Sequence, residues 1–145
     1  MTRAAQYIIA IILYIVTWFY SIVFAVSIGK RQRGANPLAD ELDALHHTCI
    51  ISGTSPLADL RGNNYYIDEI QSCAGECAVT FWGASHFALY TLFGIFTPDL
   101  FWETFLAGIV FEYYEYRSFQ CHDALDILLN TAGFVCGRVL RTYIE

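Results

Sequence analysis

Six polar side chains that could do chemistry stand within apolar stretches of the second half of this sequence. An imidazole with carboxylates suits zinc, manganese or iron, and a pair of carboxyls can act as general acid and general base. Because an unpaired ionisable group inside an apolar helix is costly, we expect one hydrogen-bonded cluster with some carboxyls protonated. Its predicted members are His86, Tyr90, Glu112, Glu115, Asp126 and Asn130.

The spacing of these residues favours a structural network over a reaction centre. No pair of metal-ligating residues follows the H-x-x-x-H or E-x-x-H spacing of a helical metal site. No nucleophile motif or phosphate-binding loop accompanies the carboxylates either, and a proton path through them is a third alternative. From the sequence we therefore assign no catalytic residue, no metal and no cofactor, and we interpret the cluster as a network that fixes helix packing.

A second pattern on the last apolar stretch indicates close helix packing. Asp126, Asn130, Gly133 and Gly137 follow one another at intervals of four, three and four residues, so they share one face of a helix. Two glycines four residues apart let the backbone of another helix approach closely. We expect Gly133 and Gly137 to form such a contact.

The remaining candidate ligands carry weaker signals. His46 and His47 are adjacent and point to different faces of a helix, so a shared metal is not expected. Cys73 and Cys77 are one helical turn apart, which is not the CxxC spacing of redox or zinc sites. A disulfide from Cys49 to either of them is open only in an oxidising compartment.

The composition of the chain indicates the environment of the elements that carry these residues. Of 145 residues, 56% are hydrophobic and only 15% are charged, and the mean hydropathy is +0.41. Such a chain is too apolar for disorder and has less charge than an ordinary soluble domain. A net charge of −6 excludes nucleic acid as the main partner. We therefore expect a small domain in a lipid bilayer.

Hydrophobic runs predict an all-α, polytopic membrane protein with four transmembrane helices, the last three forming a compact bundle. The first run is uncharged and longer than the apolar core of a signal peptide, so we interpret it as a retained anchor. The basic residues that follow it favour the cytoplasmic or equivalent side for the next segment. The four predicted spans are Tyr7–Ile28, Ala78–Phe96, Leu100–Tyr116 and Ala124–Tyr143.

The polar segment between the first two spans completes a three-part organisation. We expect an N-terminal anchor with a basic stop at residues 1–33, an acidic extramembrane segment at 34–77 and a membrane bundle at 78–145. Gly34–Glu76 holds seven acids against one arginine, and Leu38–Cys49 has the spacing of a short amphipathic helix. We expect Asp40, Glu41 and Asp43 to bind basic groups of other protein subunits.

The C-terminal half resembles a known family. His86-Phe87 with Tyr90 and Gly94 is similar to the H-F-x-x-Y…G helix of VanZ-like membrane proteins, named for teicoplanin resistance. The next two helices match its G-x-x-x-E-x-x-Q…R…D-x-x-x-N-x-x-G-x-x-x-G pattern at Gly108–Arg117 and Asp126–Gly137, except for Glu115 where the pattern has Gln. The resemblance covers about Trp82–Leu140. It implies a helical bundle around a shared polar pocket.

Two functions are consistent with these patterns. The first is a non-catalytic anchor or structural subunit of a larger membrane-associated assembly, such as an organellar complex or a virion built on an internal membrane. The second is a membrane enzyme or resistance factor that acts on a lipid-linked or cell-envelope substrate through His86, Glu112 and Asp126. A closed, dry bundle favours the first function, and a cavity at the polar cluster favours the second.

Overall fold

Two helices packed backbone to backbone form the centre of the molecule. The computed structural model describes residues 1–29, 49–52, 77–119 and 124–144, with backbone alone at 20–29, 52, 77, 115, 116, 118, 119 and 124. The elements in chain order are α1 (Arg3–Gly29), β1 (Cys49–Ser52), β2 (Cys77–Thr80), α2 (Phe81–Phe96), α3 (Phe101–Phe119) and α4 (Ala124–Ile144).

Glycines bring α2 and α4 together. A Cβ atom added to Gly137 would overlap the carbonyl oxygen of Thr91, and one added to Gly133 would overlap the carbonyl oxygen of Phe87. From the α2 side, a Cβ on Gly94 would overlap the carbonyl oxygen of Phe134. The structure thus places the two predicted packing glycines directly against the backbone of α2, where no larger residue fits.

The apolar core lies where α2 turns into α3. Phe93, Leu100 and Phe134 are fully buried there. The turn is closed by the Thr97 hydroxyl, which donates to the carbonyl of Phe93 at 2.7 Å. The Leu100 amide donates to the carbonyl of Thr97 at 3.0 Å. This tight connection joins the end of α2 to the start of α3.

The first helix, α1, docks on this turn through its N-terminal half. The Gln6 amide donates to Asp99 Oδ2 at 2.7 Å and its carbonyl accepts from the Asp99 backbone N–H at 3.1 Å. The buried Gln6 side chain therefore bonds Asp99 through both its amide nitrogen and its carbonyl oxygen. Farther along α1, the ring of Tyr14 packs on that of Phe93 with centroids 4.8 Å apart.

The two strands differ from the sequence prediction. Ala78–Thr80 was expected to begin a helix and Cys49 to end one, but β1 and β2 pair antiparallel with an irregular register. Both strands contain β-branched residues, which favour extended backbone. The helix starts only after Thr80, whose hydroxyl accepts the Gly83 N–H at 3.2 Å as an N-cap.

Over the residues described, no helix combines the length and the apolarity that crossing a membrane requires. The predicted polytopic fold with four transmembrane helices and the predicted multi-pass membrane location are therefore wrong. At about 1.5 Å per residue, the 16-residue α2 is shorter than the roughly 30 Å hydrocarbon core. Charged residues interrupt α3 and α4, and the side chains of the predicted span Tyr7–Ile28 are described only as far as Phe19.

Part of the acidic segment lies outside the described residues. This holds for the predicted helix as far as residue 48 and for the three acids proposed to bind partners, Asp40, Glu41 and Asp43. Cys49 is disulfide-bonded to a cysteine whose side chain also lies outside them. The predicted cytoplasmic side of this segment depended on the predicted membrane spans and falls with them.

Candidate metal centre

Three helices each contribute one ionisable side chain to a single buried cluster. His86 comes from the middle of α2, Glu112 from α3 and Asp126 from the first turn of α4. Their exposed fractions are only 7%, 6% and 4%. Asp126 lies on the face of α4 that carries the packing glycines Gly133 and Gly137, so the contact that joins α2 and α4 also helps to fix the cluster. We call these three residues the triad.

The ligand atoms of the triad converge. His86 Nδ1 lies 3.8 Å from Glu112 Oε1, and one ligand atom from each residue lies within 4.8 Å of the other two. Coordination bonds of about 2.0–2.2 Å place the ligands of one ion roughly 3–4 Å apart. A small inward movement of the side chains therefore suffices for all three to bind the same ion.

Two glycines make room for the polar ends of these side chains. A Cβ on Gly83 would lie 3.0 Å from Asp126 Oδ1. A Cβ on Gly108, one turn before Glu112, would lie 2.5 Å from the Tyr90 hydroxyl and 3.4 Å from Asn130 Nδ2. Asn130 and Tyr90 thus meet beside α3, next to the triad. Unlike the glycines of the helix contact, these two face side-chain atoms.

Aromatic rings wall the imidazole. The rings of Trp82 and His86 lie 4.9 Å apart at a steep angle, and Phe111 lies 6.0 Å from His86. Trp18 of α1 packs edge-on against Phe111 at 5.8 Å. A lining of aromatic rings lowers the local dielectric constant, so charges within the cluster interact strongly.

Tyr90 lies at the edge of the cluster and donates elsewhere. Its hydroxyl donates to the backbone carbonyl of Thr104 at 3.2 Å, and the Tyr14 hydroxyl donates to the same carbonyl at 3.3 Å. Burial raises the pKa of both phenols, and the Glu112 carboxylate raises the pKa of Tyr90 further. Both tyrosines are therefore neutral hydrogen-bond donors at physiological pH.

The structure brings together most of the residues that the sequence singled out. His86, Glu112 and Asp126 meet, with Asn130 and Tyr90 adjoining, whereas the side chain of Glu115 lies outside the described atoms. Sequence reasoning missed the second tyrosine, Tyr14, and its shared acceptor. Their meeting depends on how α1 docks, for which the sequence contains no local signal. Gly108, four residues before Glu112, is the sequence feature that indicates room for other side chains beside the cluster.

Comparison of the chain with protein-family models, with curated proteins and with solved structures gives no significant match. The resemblance of residues 82–140 to VanZ-like proteins stays a prediction.

Proposed function

We propose that this protein binds a divalent transition-metal ion through His86, Glu112 and Asp126. The observation that carries the proposal is the convergence of three ligand atoms, from three different helices, within 4.8 Å in a buried site. Imidazole nitrogen and carboxylate oxygen are ligands that zinc, iron and manganese share. The sequence predicted no metal because no two ligands follow the spacing of a site on one helix, and these three residues are far apart in the chain.

Charge balance supports the same proposal. Two carboxylates enclosed by aromatic rings repel each other, and burying them without countercharge is strongly unfavourable. A dication bound by one neutral imidazole and two carboxylates gives a neutral site. In this proposal the ion is a countercharge for the two carboxylates of Glu112 and Asp126.

The number of ligands indicates what a bound ion can do. Structural zinc sites are closed by four protein ligands, whereas three protein ligands leave a position for water or a small molecule. An ion held in that way can polarise a carbonyl or lower the pKa of a bound water. Because its ligands come from α2, α3 and α4, binding also stabilises the packing of these helices.

The test uses the purified full-length protein, stripped of metal by chelation and dialysed against Mn²⁺, Co²⁺ or Zn²⁺. We expect one ion per chain, and we expect Glu112→Gln and Asp126→Asn to lose it. Glu103→Gln is the matched control, since Glu103 is a more exposed carboxylate on the same helix as Glu112. Absence of bound metal in the wild type, or equal binding by all three variants, contradicts the proposal.

A specific surface favours a second candidate function, that of a subunit in a larger protein assembly. The apolar residues of the outer face of α3 recur at intervals of four, three and four, the spacing of a helix that packs on another helix. All of them are exposed: Trp102, Leu106, Ile109 and Tyr113. Apolar patches of this kind mark interaction sites.

Native mass measurement tests the second candidate. We expect the purified protein to associate with itself or with another protein, and Leu106→Glu with Ile109→Glu to abolish that association. Leu128→Glu with Val135→Glu, at exposed apolar positions on α4, is the control for added charge. A wild-type protein that is monomeric and without partners at all concentrations contradicts the assembly function and leaves the metal proposal unaffected.

A further inference from the structure

We infer that the side-chain oxygen of Asn130 is a fourth protein ligand, which makes the site an oxygen-rich one suited to Mn²⁺ or Fe²⁺. The inference rests on the proposed metal binding by the triad and adds to it the coordination number and the class of ion. Three observations about Asn130 support this inference: its position on α4, its burial, and the surroundings of its Oδ1 and Nδ2 atoms.

Asn130 follows Asp126 by one helical turn, so the two side chains lie on the same face of α4. Side chains at this spacing are neighbours on the helix surface, and helices use it to present two ligands to one ion. Asn130 Nδ2 lies beside Gly108, one turn before Glu112 on α3. Asn130 therefore lies one helical turn from Asp126 on α4, and it also lies near the turn of α3 that precedes Glu112.

Asn130 is 4% exposed, and among the described residues no donor reaches its Oδ1 atom. Buried amide oxygens almost always have a partner, because leaving one unsatisfied is costly. The other branch of the amide lies beside the Tyr90 hydroxyl, at Gly108. With Nδ2 on the side of Gly108, the carbonyl oxygen is the atom left for a ligand.

The resulting donor set contains one nitrogen, three oxygens and no sulfur. Carboxylate and carbonyl oxygens suit manganese, and imidazole suits iron and zinc, so a mixed set rich in oxygen is typical of Mn²⁺ or Fe²⁺. The free Cys136 is on the same helix, but ten residues after Asp126 place it about 15 Å along the axis. A thiolate, which would favour zinc or copper(I), is therefore absent from the described part of the site.

The experiment compares Mn²⁺ and Zn²⁺ affinities by calorimetry for the wild type, Asn130→Leu and Asn130→Asp. Leucine has a similar size and no ligand atom, whereas aspartate keeps the oxygen and adds charge. We expect Asn130→Leu to weaken Mn²⁺ binding about 10–100-fold, the range known for residues that support a metal site, and to weaken Zn²⁺ binding less. Asn130→Asp should bind Mn²⁺ at least as tightly as the wild type. Thr131→Val is the control, because the Thr131 hydroxyl donates within its own helix to the carbonyl of Ile127.

The outcomes separate this inference from the proposed function. A wild type that binds no ion overturns both. A wild type that binds Mn²⁺ with an affinity unchanged in Asn130→Leu overturns the role of Asn130 and leaves the triad in place. Equal weakening in Asn130→Leu and Asn130→Asp shows a packing role, which also overturns it. The visible spectrum of bound Co²⁺ gives a second readout, and we expect it to change in Asn130→Leu and to be retained in Asn130→Asp.

Discussion

Glycine is used in two different ways at the two ends of the contact between α2 and α4. At one end, Gly94, Gly133 and Gly137 face backbone atoms and let the two helices touch. At the other end, Gly83 faces a carboxylate oxygen of Asp126, and on α3 Gly108 faces a phenol and an amide. The first end has no space to fill, whereas the second leaves room for polar side chains. A contact between backbones thus lies next to a cluster of polar side chains.

The difference shows why the cluster stays together. Backbone contact between α2 and α4 fixes the distance between His86 and Asp126 independently of any bond between the two side chains. The core at the α2–α3 turn, with Phe93 and Leu100 fully buried, positions Glu112 in turn. The site is therefore preorganised by apolar packing, and a bound ion adds stability to a framework that already exists.

The largest effect is expected from Gly137→Leu. The new side chain would overlap the Thr91 carbonyl, and overpacking of this kind costs about 1–3 kcal/mol or more. Because a backbone atom cannot rotate away, we expect a loss above that range, measured as the free energy of unfolding in urea. Gly83→Ala is the comparison, since its Cβ meets movable side-chain atoms at 3.0 Å or more. Similar losses of unfolding free energy in Gly137→Leu and Gly83→Ala would contradict the difference between glycines that face backbone and glycines that face side chains.

Metal removal should have the next largest effect. An ion at 100 times its dissociation constant stabilises the protein that binds it by about 2.7 kcal/mol. We expect chelation to lower the free energy of unfolding by about this amount in the wild type and to leave His86→Phe unchanged. Phenylalanine keeps a ring beside Trp82 and Phe111 and removes the ligand atom. An equal response of the wild type and the variant to chelation would place the ion elsewhere.

Alkaline pH should destabilise the protein through Tyr14 and Tyr90. The pKa of each is raised in the folded state by burial, while the unfolded chain releases these protons near pH 10. Their stabilising contribution is therefore complete below about pH 10 and declines as pH rises toward the folded pKa. We expect Tyr90→Phe to be less sensitive to pH between 9 and 11 in urea unfolding. An identical slope in the wild type and Tyr90→Phe would contradict the buried position of this phenol.

The smallest effect is expected where α1 meets α3 at the surface. Arg3 donates to Glu103 at 3.0 Å in an exposed ion pair, and exposed pairs contribute little. A backbone hydrogen bond first, then those from Tyr7 and Arg3, lower the pKa of Glu103. The stability that the Glu103 carboxylate contributes is therefore present above the ordinary carboxyl pKa. It is lost as pH falls through the lowered pKa of the folded state. Glu103→Gln should change the melting temperature less than any substitution above. A larger change would show that α1 is held mainly by this pair.

The sequence predicted the helices well because their apolar runs are long and end at turn residues. The predicted start at Ala124 coincides with that of α4, and α2 ends at the predicted Phe96. Convergence of His86, Glu112 and Asp126 was inferable from the cost of burying unpaired charge. The strand pairing of Cys49–Ser52 with Cys77–Thr80 was not, since it joins segments far apart in the chain through tertiary contacts. The membrane location was wrong because apolar runs were interpreted as spans, whereas over the described residues no helix is both long enough and apolar enough to cross a membrane.

Anomalous diffraction from crystals of the full-length protein loaded with Mn²⁺ would locate the proposed ion. We expect one strong peak, within bonding distance of the His86 imidazole and of the Glu112 and Asp126 carboxylates, that is lost in Asp126→Asn. A peak at another position, or none from crystals grown with saturating Mn²⁺, would contradict the proposed metal binding.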